Sequence, residues 1–263
     1  MTTDGQLLAI RDLVIEIGGR RLVDVADLAV ARGEIVGLVG ESGAGKSLLL
    51  SSILGLAPAD ATITGSIIFD GIELQGAPER LLREVRGRRI AVGLQAARAA
   101  LTPTLKAGTW IERALVLHRV PEAERRARIE HALEAVRLDY ALMDRYPHQL
   151  SGGEAQRVAV ALAVALNAEL VLADEATSAL DVTVQAEVAE LFRDLRAREG
   201  TSLLIVSHDL ALVAGLADRI DIIAEGSIVE RGGPSVLSDP QHQVTHELVA
   251  ANPTLERARE IAR

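Results

Sequence analysis

The chain has 263 residues, of which 49% are hydrophobic and only 2% are aromatic, so its core should be large and aliphatic. The formal net charge of −9 argues against direct binding to nucleic acid, because phosphate contacts need clustered lysine and arginine side chains. The absence of cysteine excludes disulfides and any zinc or iron–sulfur site held by cysteine. No signal peptide is visible and no apolar stretch could cross a bilayer, so we expect a soluble intracellular protein unless another chain holds it at a membrane.

Short apolar runs separated by turn residues occupy residues 7–32, and they predict an antiparallel, hairpin-like start to the chain. Residues 34–39 are typical of a buried strand, and residues 48–54 of the first turns of a helix. The segment between them matches the pattern G-x-x-x-x-G-K-[ST] at every fixed position. It consists of Gly40, Glu41, Ser42, Gly43, Ala44, Gly45, Lys46 and Ser47.

This segment, the phosphate loop, predicts nucleotide binding. Its glycines allow the backbone to curl so that several N–H groups point at phosphate oxygens, and the helix that follows adds its positive end. Lys46 would reach the β- and γ-phosphates, and the Ser47 hydroxyl would ligate Mg²⁺. A chance match of a glycine-rich turn is the alternative, which the flanking strand and helix disfavour.

The rest of the chain alternates strands with helices, which predicts a mostly parallel sheet in a single domain spanning residues 1–263. Within it, prolines punctuate helical segments over about residues 96–155, and these predict a helical subdomain inserted between strands. Residues 252–263 are polar and should form a terminal helix or a mobile tail. Strands are predicted at 65–71, 89–94, 170–174, 202–207, 219–224 and 227–231, and helices at 107–118, 122–136, 153–167, 182–198 and 210–216.

Two further segments carry candidate chemistry. The strand over residues 170–174 ends in Asp174 and Glu175, which could hold Mg²⁺ or its water and polarise an attacking water, although an ordinary exposed turn has the same residues. Residues 150–154 place Ser151, Gly152 and Gly153 at a helix start, which is a second nest for an anion. A capping box of Ser151 with Glu154 is the alternative, and both can hold at once. Two phosphate nests in one chain favour a dimer in which each copy closes the other's site.

The chain resembles the ATP-binding subunits of ABC transporters over essentially its whole length. Six motifs stand in that family's order: the phosphate loop, the Q-loop Gln95, the signature over residues 150–154, the Walker B residues Asp174 and Glu175, the D-loop over residues 178–181, and the switch histidine His208. The resemblance implies an α/β P-loop NTPase core with a mostly parallel sheet, an N-terminal antiparallel β subdomain and an inserted α-helical subdomain.

The resemblance also implies ATP and Mg²⁺ as cofactors and assigns roles to individual residues. Catalytic roles fall to Glu175, His208 and Lys46, metal binding to Ser47, Gln95 and Asp174, and subunit joining to Asp181. The implied nucleotide-binding residues are Ile17, Gly40, Glu41, Ser42, Gly43, Ala44, Gly45, Lys46, Ser47, Gln95, Ser151, Gly152, Gly153, Asp174 and His208.

Two departures from the family pattern affect what can be expected. Ile17 stands where the family usually has an aromatic side chain that stacks on adenine, so affinity and base selectivity should be modest. After Gln95 the chain has an alanine-rich stretch in place of a polar one, so the coupling helix of the membrane partner should be specialised too.

Within the family, the chain is similar to the ATPases of oligopeptide, dipeptide and nickel importers, on residues 39–43, 101–104, 181–186 and 239–245. This predicts an ATPase at the cytoplasmic face of the cell membrane. Its expected partners are two transmembrane permease subunits, a second ATPase that is a different chain rather than a copy, and indirectly an external solute-binding protein, with no nucleic acid. An alternative is a soluble ATPase of a multienzyme complex such as carbon–phosphorus lyase. A DNA-repair or ribosome-associated protein fits less well, because those usually carry two ATPase halves or long insertions.

Overall fold

The computed structural model describes residues 5–93, 101–174 and 182–252. The chain divides into two compact units, residues 1–82 together with 202–263, and residues 83–201. The chain passes from the first unit to the second within helix α2 (Glu79–Val85). No helix in the described part of the chain is long and apolar enough to span a membrane.

The first unit begins with an antiparallel sheet. Strands β1 (Gln6–Ile17) and β2 (Arg20–Ala31) are joined by Gly18 and Gly19, which both have positive φ, as a two-residue hairpin turn requires. Buried residues alternate with more exposed ones over residues 13–15 of β1 and 23–25 of β2, whereas residues 7–10 of β1 are buried on both faces. The strand order is β2-β1-β4-β5, with β1 (Gln6–Ile17), β2 (Arg20–Ala31), β4 (Ala61–Phe69) and β5 (Ile72–Glu73). The predicted hairpin-like start is therefore present.

A second set of strands forms the centre of the same unit. Strand β3 (Ile35–Val39) pairs in parallel with β8 (Ser202–Val206) on one side and β9 (Arg219–Ala224) on the other, and β10 (Ser227–Gly232) pairs antiparallel with β9. All of β3 and β8 is buried, as expected of continuous apolar strands covered on both faces. The helices of this unit are α1 (Lys46–Ile53), α7 (Leu210–Leu216), α8 (Gln243–Ala250) and the 3₁₀ helix Pro234–Leu237.

A network of ion pairs connects β9 and β10 to the N-terminal sheet. Asp221 is completely buried, and its carboxylate accepts hydrogen bonds from Arg219 Nε at 3.0 Å and Arg231 Nε at 2.9 Å. The same arginines reach Glu34 at 2.7 Å and Asp27 at 2.8 Å. A buried carboxylate needs such partners, because an unpaired charge in the interior is strongly destabilising.

The described part of the second unit contains a parallel pair of strands and several helices. Strands β6 (Ile90–Gly93) and β7 (Leu170–Asp174) pair from Ile90 with Leu170 to Gly93 with Ala173. The helices are α3 (Ala107–Leu117), α4 (Glu122–Ala135), α5 (Gly152–Ala165) and α6 (Val182–Asp194), with 3₁₀ helices Tyr140–Asp144 and Pro147–Gln149 and a π-helical turn Leu195–Glu199.

Most of the predicted elements are present, with shifts at their ends. The helix predicted over residues 182–198 changes to the π-helical turn after Asp194 and ends at Gly200, whose positive φ stops it. Helix α8 and the short elements α2 and β5 were not among the predicted elements.

Candidate nucleotide site

The phosphate loop lies between β3 and α1 in the first unit. Gly43 and Gly45 have φ of 85° and 95°, a left-handed conformation that L side chains rarely adopt. Gly45 is also the N-cap residue of α1, and as a glycine it has no side chain with which to cap that helix. The positive end of the helix lies at the loop, where it favours an anion.

Two glycines of the loop make contacts that a Cβ atom would block. A Cβ on Gly40 would lie 2.1 Å from the carbonyl oxygen of Ile223 in β9, and a Cβ on Gly45 would lie 2.8 Å from the carbonyl oxygen of Leu22 in β2. The loop therefore packs against backbone of both sheets of this unit. The fixed glycine positions are required by close packing as well as by φ.

Lys46 lies over the loop, with only 8% of its surface exposed. Its Nζ donates hydrogen bonds to the carbonyl oxygens of Gly40 and Glu41, both at 2.7 Å. These bonds hold the ammonium group beside the curled backbone, where it can neutralise an anion bound by the loop. The side chains of Ser42 and Ser47 are exposed, so both hydroxyl groups can reach a ligand.

The position expected to face adenine is at the end of β1. Ile17 is half-buried there and precedes the hairpin turn. The nearby Arg21 is occupied by carboxylates, with Nη1 2.8 Å from Asp24 and Nε 3.5 Å from Glu16. Leu22, an exposed apolar residue of the same hairpin whose carbonyl contacts Gly45, was missed by the sequence analysis, since nothing in the pattern separates it from an ordinary strand residue.

Asp174 ends β7 in the second unit. Its Oδ1 is buried and accepts no hydrogen bond from any described residue. An unsatisfied buried carboxylate oxygen is costly unless something else occupies it, and a hard cation or its water fits that need. Three predicted residues, Gln95, Glu175 and Asp181, lie outside the described residues.

The signature segment has the predicted capping box at the start of α5. Ser151 Oγ accepts from the N–H of Glu154 at 3.1 Å, and the Glu154 carboxylate accepts from the N–H of Ser151 at 2.7 Å. That backbone hydrogen bond is the main reason why the pKa of Glu154 lies below its usual value, and Arg145, 3.7 Å away, adds to it. Ser151 and Gly152 are exposed, so the helix start can also receive a ligand.

His208 follows β8 in the first unit, and its side chain is exposed. The next residue, Asp209, caps α7 by accepting from the N–H groups of Ala211 and Leu212. Near the C-terminus, His242 caps α8, and its Nδ1 accepts from the N–H of Val244 at 3.2 Å. In the described part of the chain, no cluster of three or more histidine, cysteine or acidic side chains could hold a metal ion.

The predicted residues are thus divided between the two units. The phosphate loop, Ile17 and His208 belong to the first unit, and Asp174 and the signature segment to the second. Their roles in binding and catalysis stay predictions.

Comparison with known proteins agrees with the family suggested by the motifs. The family model described as ABC transporter matches residues 23–178. The chain is 42% identical over 262 residues to a peptidoglycan transport ATP-binding protein, YejF, of Agrobacterium fabrum, covering 96% of this chain and 48% of YejF. It is 37% identical over 235 residues to the oligopeptide transport ATP-binding protein OppD of Lactococcus lactis, covering 88% of this chain and 70% of OppD.

Among solved structures, the chain is similar to a dimeric ATP-binding cassette in a post-hydrolysis state bound to ADP and Pi. The TM-score is 0.74 and the identity 27%, over 86% of this chain and 98% of the other. The predicted α/β fold class is confirmed. The chain spans about half the length of YejF. The match over residues 23–178 and the 42% and 37% identity to these relatives show that the chain belongs to the ABC transporter family.

Proposed function

We propose that this chain is the ATP-hydrolysing subunit of a membrane importer for peptides, nickel or metal chelates, or related small solutes. The observation that carries the proposal is the conformation of the phosphate loop, in which Lys46 is held at the mouth of a curled backbone at the start of α1. Peptidoglycan and oligopeptide transport, in the names of the two relatives, support the solute class.

In this proposal, the loop N–H groups and Lys46 bind the phosphates of ATP, and Ile17 contacts the adenine. Mg²⁺, when bound, would neutralise charge on the phosphates. Ser47 would supply a hydroxyl for it, and Asp174 would supply a carboxylate oxygen, Oδ1, which accepts no hydrogen bond from any described residue. Gln95 would complete the metal site, Glu175 would orient the attacking water and His208 would contact the γ-phosphate.

A second ATPase subunit would complete the reaction. The exposed start of α5, already ordered by its capping box, would receive the γ-phosphate of a nucleotide held by the other subunit's phosphate loop. The dimeric cassette to which this chain is similar supports the pairing. The further partners proposed are two transmembrane permease subunits and an external solute-binding protein, with the chain bound peripherally at the cytoplasmic face and no nucleic acid involved.

The test is ATP binding and turnover in the complex purified from its own membranes through an N-terminal tag on this chain. Glu175→Gln should keep ATP binding and lower turnover by orders of magnitude, because it removes the basic group and preserves the shape. Lys46→Ala should weaken binding itself. Wild-type turnover in Glu175→Gln would refute its role, and purification with a soluble enzyme complex and without membrane subunits would refute the importer.

A separate experiment tests the pairing of subunits. Ser151→Arg should block the nucleotide site whose phosphate loop belongs to the other subunit, and should leave ATP binding at this chain's own Lys46 intact. Loss of nucleotide at Lys46 with the other site unaffected would mean that the signature acts within its own subunit.

A further inference from the structure

The peptide group that joins His208 to Asp209 is held by a side chain at each of its two polar ends. Its N–H donates to Ser207 Oγ at 3.0 Å, and its carbonyl oxygen accepts from Asn252 Nδ2 at 3.1 Å. Because a peptide group is planar and rigid, holding both ends sets its orientation and thereby the direction in which the His208 side chain leaves the backbone. We propose that Asn252 is a positioning residue for His208, an inference that rests on the proposed role of His208 at the γ-phosphate.

The two ends of this peptide are held by different kinds of bond. The bond from Asp209 to Ser207 is local, and so are the bonds by which Asp209 caps α7. Such turns form from neighbouring residues alone. The bond from Asn252 spans 44 residues of chain, so it makes the orientation of His208 depend on the C-terminal segment.

The C-terminal segment is itself anchored, so it can deliver Asn252 to a defined place. The Glu230 carboxylate in β10 accepts from the N–H groups of Gln241 at 2.8 Å and His242 at 3.1 Å, and from the Thr245 hydroxyl. Burial alone would raise the pKa of Glu230, but these hydrogen bonds outweigh it and the pKa lies below its usual value. The carboxylate is therefore charged at neutral pH and holds the start of α8.

At the other end of α8, the backbone continues its helical bonding up to the positioning residue. The N–H of Ala251 donates to Glu247 and the N–H of Asn252 to Val249, which is buried against this unit. Glu230 and Asn252 thus fix the two ends of one short helix, and the second end touches the His208 loop. Residue 252 belongs to none of the six motifs, so the sequence pattern did not point to it.

The test is steady-state ATP hydrolysis by the complex purified through an N-terminal tag. Asn252→Leu keeps the approximate volume and removes the donor. We expect kcat to fall about fivefold with KM for ATP unchanged, because small misplacements of a group that acts in the transition state reduce turnover. The matched control is Gln243→Leu, which removes a side-chain amide on the same helix that bonds to Glu247 and not to His208; its kcat should equal that of the wild type.

A double mutant separates positioning from stability. In a His208→Ala background, Asn252→Leu should have no further effect on kcat, since the group that it positions is absent. Three results would overturn the inference and leave the proposed function standing. The first is an equal loss of kcat from Asn252→Leu in the His208→Ala background, and the second is an equal loss of kcat in Gln243→Leu. The third is a wild-type kcat in Asn252→Leu while His208→Ala is impaired. Wild-type turnover in His208→Ala would instead refute the role of His208 in the proposed function, and the inference with it.

Discussion

The contact between the phosphate loop and β9 makes Gly40→Ala a sharp test of the geometry. The added Cβ would lie 2.1 Å from the carbonyl oxygen of Ile223 and 2.9 Å from its Cγ2, whereas ordinary van der Waals contact begins at 3.4 Å. Both carbonyl and loop are backbone, and β9 is held by pairing with β3 and β10. Neither can yield by a side-chain rotation, so the loop must move by about 1 Å.

The expected cost follows from that displacement. Overpacking against rigid backbone costs up to about 3 kcal/mol, which lowers Tm by up to roughly 6–12 °C in a chain of this size. The shift also moves the Gly40 carbonyl that holds Lys46 Nζ, so ATP affinity should fall at least about tenfold, equivalent to about 1.4 kcal/mol.

Thermal unfolding and calorimetric ATP titration of the full chain measure the two effects. The control is Gly233→Ala in the same unit, where the added Cβ meets nothing closer than the Asp218 carbonyl at 3.9 Å and φ is −67°. It should change stability by less than about 0.5 kcal/mol. Wild-type Tm and ATP affinity in Gly40→Ala would show that the loop does not pack against Ile223 as described.

Four further predictions test separate parts of the chain. Asp221→Asn should lower the free energy of unfolding in urea by about 3 kcal/mol or more, because it leaves two arginines beside a buried neutral group. The control Glu190→Gln, at an exposed ion pair, should lower it by less than about 1 kcal/mol. Equal effects of the two substitutions would contradict the buried network. Glu154→Ala should lower the free energy of unfolding by about 1 kcal/mol at neutral pH. Because the pKa of Glu154 is lowered in the folded state, this loss of stability should disappear as pH falls from about 4.5 through the folded-state pKa. A stability difference that does not depend on pH would refute the charged cap. Burial and the charge of Arg88 lower the pKa of His118, so the unfolded state binds the proton more readily than the folded state. The free energy of unfolding should therefore fall as pH drops below about 6.5, and His118→Gln should reduce this pH dependence. An unchanged pH dependence in His118→Gln would exclude His118 as its source. Ile17→Tyr should tighten ATP binding by adding a ring for stacking, and no change in ATP or GTP affinity would mean that the base lies elsewhere.

Local sequence was enough for the parts of this protein whose cause is local. Residues 40–47 predict the phosphate loop because the backbone has positive φ at Gly43 and Gly45, where glycine is strongly favoured. Ser151 and Glu154 predict the capping box because the two partners are only three residues apart in the chain. Buried strands such as β3 and β8 followed from continuous apolar runs. The motifs and their order also led to the ABC transporter family before any contact was known.

The tertiary structure decided what depends on residues that are distant in the chain. It placed Ile223 against Gly40, Leu22 against Gly45, and the Asn252 side chain on the His208 carbonyl. Neither the periodicity nor the spacing of residues in the sequence predicts these contacts. It also showed that the Asp174 Oδ1 is buried without a described partner, since the exposure of a strand end depends on what packs around it. A sequence pattern records φ preferences and local hydrogen bonding, whereas long-range contacts exist only once the chain has folded and backbones from separate segments compete for the same space.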